Sequence, residues 1–129
     1  MNTLKIAVAG IGTVGSGLLE ILLKNKSFIE KKIEKKIIIS AVASRTPKKV
    51  LKKLNKGTII FDNAKKKLDF NDYDILVELI GGEGGIAKEI IINSLNMSKN
   101  VVTANKALVA KHGIEILKIA EKNNSKIAF

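Results

Sequence analysis

"VAGIGTVGSG", from Val8 to Gly17, decides how the rest of the chain is read. It places glycine at 10, 12, 15 and 17 directly after an apolar run. Glycine loses more backbone freedom on folding than any other residue, so such a cluster needs a reason, and the leading one is a backbone that something must approach closely. The preceding Leu4–Ala9 has the apolar character of a strand, and Val14, Leu18, Leu19, Ile21 and Leu22 recur afterwards as the apolar positions of an amphipathic helix. In that context Gly10-Ile11-Gly12-Thr13-Val14-Gly15 reads as G-x-G-x-x-G between a first strand and a first helix. Gly10 permits the tight turn, Gly12 lets the backbone reach a pyrophosphate, and Gly15 lets helix and strand pack closely. The free N–H groups and positive dipole end of the helix complete an anion site.

Outward from this turn, Lys36–Ala43 ("KIIISAVA") is too continuously apolar for a half-exposed strand and reads as one buried on both faces, as in a parallel sheet. Thr46-Pro47 opens a short helix, Thr58–Phe61 is a brief strand, and Tyr73–Ile80 ("YDILVELI") is a strongly buried strand ending at Gly81-Gly82. A helix over Ile86–Leu95, a strand over Asn100–Asn105 ("NVVTAN"), a helix over Lys106–Lys122 and a strand beginning in Lys126–Phe129 follow. Alternating strands and helices predict a Rossmann-type, doubly wound α/β fold, a mostly parallel sheet with helices on both faces, in one domain over residues 1–129. His112-Gly113 is expected at a helix kink or surface turn, with no chemistry for His112.

Composition narrows the function classes. Hydrophobic residues make up 46% and charged residues 27% of 129, a globular balance, and no apolar run approaches the roughly 20 residues that span a bilayer. The start lacks a secretory signal core, so a cytoplasmic location without membrane partners is expected. With no cysteine and only His112, disulfides and thiolate metal sites are excluded and no metal is expected. The net charge of +11 invites a nucleic-acid reading, but it rests on lysines spread over helical patterns. Arg45 is the single arginine, and one tyrosine and four phenylalanines leave little for base stacking, so nucleic acid is not expected as a partner.

The end of the second strand selects between dinucleotides. A carboxylate there accepts hydrogen bonds from a 2′-hydroxyl and favours NAD, whereas arginine accommodates a 2′-phosphate. The strand ends Ala43-Ser44-Arg45-Thr46, with Lys48 and Lys49 close behind and no carboxylate competing, so NADP is expected to be preferred, with NAD possible. Gly81-Gly82 leaves backbone room beside the ribose and nicotinamide, plain turn chemistry being the alternative. Glu78, inside an apolar strand, must be paired or stand at the sheet's end, and a structural pair is expected rather than a site role. "VVTANKALVAKHG", Val101–Gly113, places Thr103, Asn105 and Lys106 at the fifth strand's exit and the next helix's start. A cation opposes the dipole at a helix N-terminus, which sets Lys106 apart from the surface lysines; a nearby anion or carbonyl would resolve the conflict.

"GIGTVGSG", "VELIGG" at Val77–Gly82 and above all "VVTANKALVAKHG" resemble, in order and spacing, the cofactor domain of homoserine dehydrogenase. That family interconverts L-aspartate 4-semialdehyde and L-homoserine with NAD(P) in threonine and methionine biosynthesis, and the likeness covers essentially the whole chain. The resemblance implies cofactor contacts from the turn Gly10, Ile11, Gly12, Thr13, Val14 and Gly15, with Arg45 at the adenosine 2′-phosphate. It implies Ile80 and Gly81 flanking the ribose, Thr103 counted among the cofactor residues, and Lys106 near nicotinamide and substrate as the catalytic candidate. In that family a substrate-binding, dimer-forming region follows and carries a catalytic lysine and aspartate, whereas this chain stops at Phe129. The expectation is a cofactor-binding domain, inactive alone, that meets its small-molecule substrate and homodimer partner through that further region. The alternatives are the cofactor domain of another amino-acid-pathway Rossmann oxidoreductase and a non-catalytic nucleotide-binding module.

Overall fold

The computed structural model describes residues 2–10, 13–45, 54, 57–65, 70–81 and 85–129. β1 (Asn2–Ala9) is followed by α1 (Thr13–Lys24) and α2 (Lys26–Ile33), then by β2 (Lys35–Ala43), β3 (Ile59–Phe61) and β4 (Ile75–Glu78). α3 (Gly85–Asn96), β5 (Asn100–Thr103), α4 (Lys106–Lys122) and β6 (Ile127–Ala128) complete the chain. The strands form one sheet in the order β3-β2-β1-β4-β5-β6, every neighbouring pair parallel. The expected doubly wound fold is present. Chain order runs outward from β1 one way and from β4 the other, so the carboxyl ends of these two neighbours form the switch point at which such sheets take ligands.

Each face of the sheet has its own core. Along β1, Ile6 and Val8 join Leu19, Ile37, Ile39 and Val42 on the face packed by Leu18, Leu22 and Ile29 of α1 and α2. Ala7 and Ala9 point the other way, to Leu76, Ile90, Ile91, Leu108 and Ile116 beneath α3 and α4, as a side-chain period of two requires. β2 changes step midway: its register with β1 slips between Ile6↔Ile39 and Ala7↔Ala41. Ser40 is the extra residue of this β-bulge, its hydroxyl donating to the Ile6 carbonyl at 3.4 Å, so that Val42 rather than Ala41 shares a face with Ile39.

Two local features differ from the sequence reading, and one expectation is not tested. α2 is a separate helix with no apolar stripe to reveal it: Phe28 is 69% exposed, and Glu30 is the buried residue. His112 and Gly113 lie inside α4, which runs unbroken from Lys106 to Lys122. A Cβ on Gly113 would make only an ordinary contact, 3.5 Å to Val109 Cγ1, so nothing there forces the kink or turn. The short helix opened by Thr46-Pro47 lies outside the described residues.

Glu30 docks α2 through its carboxylate, which accepts from the Ile37 N–H at 2.9 Å and faces the ammonium groups of Lys36 at 3.3 Å and Lys26 at 3.7 Å. The Ile37 N–H is the main cause holding this carboxyl below its ordinary range; desolvation opposes it and the two lysines assist. The native state favours the charged form, so Glu30's contribution is complete above the ordinary glutamate value and is lost as pH falls through the depressed native one. Glu30→Gln is expected to lower the thermal midpoint at neutral pH, the gap from wild type closing in acid. A gap that stays constant in melts from neutral to acid pH would contradict this.

Candidate functional site

β1 ends against the exit of β4. Gly10 has φ +91°, its N–H donates to the Ala43 carbonyl at 2.9 Å, and the Leu79 N–H donates to the Ala9 carbonyl at 2.8 Å. A Cβ at position 10 would lie 2.7 Å from Ile80 N and 2.8 Å from the Leu79 carbonyl carbon. Conformation and space both demand glycine there. The sequence assigns Gly10 the turn; the close passage of the β4 exit is a second demand that appears only in three dimensions.

Around this meeting point opens a cleft of about 730 Å³, within the size range of small-molecule sites. The β2 exit contributes Ser44 and Arg45, the β3 exit Asn63, Ala64 and Lys65, the β4 exit Leu79 and Ile80, and α3 contributes Ile86 and Glu89. Ser44 is buried and Arg45 exposed, and no carboxylate stands at the end of β2. α1, α3 and α4 each carry no acidic residue in the first turn.

Gly10, Arg45 and Ile80 share one cleft. Gly81, exposed and with φ +86°, follows Ile80 directly, and Gly15 is buried in the first turn of α1. Ile11 and Gly12 lie outside the described residues, as do the side chains of Thr13 and Val14. Thr103 and Lys106 belong to the neighbouring corner at β5 and α4 and do not line the cleft. Asn63, Ala64 and Lys65 join the site because Ala41–Ala43 pairs with Ile59–Phe61, a long-range choice that no local pattern encodes.

At that neighbouring corner Glu78 is fully buried at the end of β4. Its Oε2 accepts from the Ile80 N–H at 3.1 Å, and its Oε1 accepts from the Thr103 hydroxyl and from Asn105 Nδ2, both at 3.3 Å. Thr103 Oγ1 accepts from the Asn105 N–H at 3.0 Å, and Asn105 Oδ1 caps α4 by accepting from the Leu108 N–H at 3.1 Å. Glu78 has the structural partners expected of it, though they are uncharged donors rather than a cation. Thr103, 2% exposed, commits its hydroxyl to this cluster. Lys106 opens α4 in an exposed position, and the described residues give its ammonium no carboxylate partner.

Residues 10–129 match the family described as homoserine dehydrogenase, NAD binding domain. The chain belongs to this family. It is 35% identical over 132 residues to the homoserine dehydrogenase of Neisseria gonorrhoeae, covering 100% of this chain and 29% of that protein. The Lactococcus lactis enzyme is 38% identical over 125 residues, covering 95% of this chain and again 29% of the relative. The crystal structure of a homoserine dehydrogenase from Thiobacillus denitrificans superposes with a TM-score of 0.87 at 34% identity, over 100% of this chain and 30% of that one. The chain therefore spans less than a third of the length of these relatives. A homoserine dehydrogenase NAD-binding domain has to lay a pyrophosphate across a glycine turn at the switch point and a ribose at the end of β2. The left-handed Gly10, the cleft above β1 and β4, and Arg45 at the β2 exit fit that group. No described helix is long and apolar enough to cross a membrane.

Proposed function

We propose that this NAD-binding domain serves NADPH-preferring interconversion of L-aspartate 4-semialdehyde and L-homoserine, in a cytoplasmic enzyme whose substrate grip and dimer contacts lie in a further region. The reading is carried by one observation: the β1 turn and β4 exit meet at Gly10 and Ile80, with Arg45 on the wall beside them. When bound, the dinucleotide supplies or accepts the hydride. The chain binds and orients. Residues Gly10 to Gly15 and the N–H groups of α1 hold the pyrophosphate, Arg45 meets the 2′-phosphate, Ile80 and Gly81 flank the ribose, and Thr103 supports that region from β5. Lys106 polarises the substrate carbonyl oxygen or passes its proton. The lysines are spread along the chain, and one tyrosine and four phenylalanines offer little for base stacking, which supports a small-molecule role over a nucleic-acid one.

Arg45→Ala tests the cofactor preference. Losing a charge-assisted contact to the 2′-phosphate is expected to raise the NADPH Kd roughly 10- to 100-fold while leaving NADH binding nearly unchanged. Equal weakening of both dinucleotides in calorimetric titrations would contradict a 2′-phosphate role. Indifference of both would place Arg45 outside the site.

A further inference from the structure

We propose that Glu78 is a positioning residue, its buried carboxyl tying the cofactor-facing backbone at Ile80 to the start of the helix that carries Lys106. The inference rests on the cofactor reading above and adds a residue for which the sequence indicated only a structural pair. Glu78 is 0% exposed, and burial of a carboxyl is unfavourable unless its oxygens are satisfied. The satisfaction here is divided between two places. Oε2 holds the N–H of Ile80, on the β4 exit that borders the cleft, while Oε1 holds Thr103 and Asn105 at the β5 exit.

Each partner presents a hydrogen. Ile80 offers its N–H and Asn105 its amide NH2. The Thr103 hydroxyl oxygen accepts from the Asn105 N–H, and its hydrogen is directed to Glu78. A carboxylate, which only accepts, complements this set; a carboxamide of the same shape has one accepting oxygen and an NH2 that opposes a donor. Asn105 is fixed in turn, because its Oδ1 caps Leu108 while its Nδ2 faces Glu78. The start of α4 and the backbone at Ile80 are therefore joined through one side chain. A local hydrogen-bonded corner would need only the Oε1 contacts; the Oε2 contact to Ile80 extends it to the cleft.

The test uses the 129-residue chain, with Glu78→Gln and Asn105→Ala as variants, NADPH as probe and amide NMR as a second readout. Unsatisfied buried donors are expected to weaken NADPH binding about tenfold in Glu78→Gln, at a temperature where the variant is folded. Asn105 does not line the cleft, yet Asn105→Ala is expected to weaken binding as well and to shift the amide signals of Ile80 and Gly81 even without NADPH. The two substitutions combined should cost less than the sum of their separate effects, as members of one network do. Wild-type affinity in both variants with only a lowered thermal midpoint would overturn the proposal and leave Glu78 a structural residue. If wild type itself bound no NADPH, the cofactor reading would fail, and the Ile80 and Gly81 signals in Asn105→Ala would still decide the coupling. If Glu78→Gln does not fold, Asn105→Ala alone decides it by the same readouts.

Discussion

Gly10→Ala is expected to destabilise the chain by about 2–4 kcal/mol and to remove NADPH binding with it. Two costs add. A left-handed backbone at φ +91° strains any residue with a Cβ, and the new methyl carbon would sit 2.7 Å and 2.8 Å from backbone atoms of Ile80 and Leu79. Backbone cannot swing aside as a flexible side chain can, so β1 and β4 must part at the switch point. That loss is a large share of the roughly 5–15 kcal/mol that holds a domain together. Gly17→Ala is the control: Gly17 lies within α1 without a left-handed φ, and a Cβ there meets nothing within 4 Å. It is expected to be neutral or to stabilise by up to about 1 kcal/mol, since alanine suits a helix better. Chemical denaturation of both variants checks the pair. Similar stability for the two would show that the β1 turn is not constrained as described.

Lys106→Ala is expected to move folding and turnover in different directions. Lys106 is the first residue of α4, exposed, where the helix dipole disfavours a cation by about 0.3–1 kcal/mol. Alanine relieves that conflict and is the better helix former, so the thermal midpoint of the domain should hold or rise slightly. In an enzyme form that converts aspartate semialdehyde, kcat should fall by about two to four orders of magnitude if Lys106 polarises the carbonyl or moves its proton. Unchanged kcat would remove Lys106 from the chemistry, and a lowered midpoint would mean that it has a structural partner.

These expectations rest unevenly on sequence and structure. The glycine turn is legible because a strand, three spaced glycines and an amphipathic helix constrain one another locally, and Lys106–Lys122 is legible because its apolar period runs its full length from Asn105. The position of Arg45 at the β2 exit is legible because it depends only on where a strongly apolar strand ends. α2 is not, since its buried residue is Glu30, whose carboxylate accepts from Ile37, with Ile29 packed beside it against the core. The bulge at Ser40 is hidden for a related reason: a strand buried on both faces has no alternation to break. Asn63 to Lys65 reach the cleft only through strand order, and Glu78 bridges Ile80 to Thr103 and Asn105 only once β4 and β5 lie side by side. Long-range pairing determines these features, and no short stretch of residues contains it.

The most direct measurement is an NMR titration of the 129-residue chain with NADPH, following backbone amides. Binding is expected to shift Gly10, Arg45, Ile80, Gly81 and Gly85, at the carboxyl end of the sheet, while Asn2, Lys35 and Asn100, at its amino end, stay in place. Absence of binding, or shifts gathered at the amino end, would contradict the assignment of the β1–β4 cleft as the dinucleotide site.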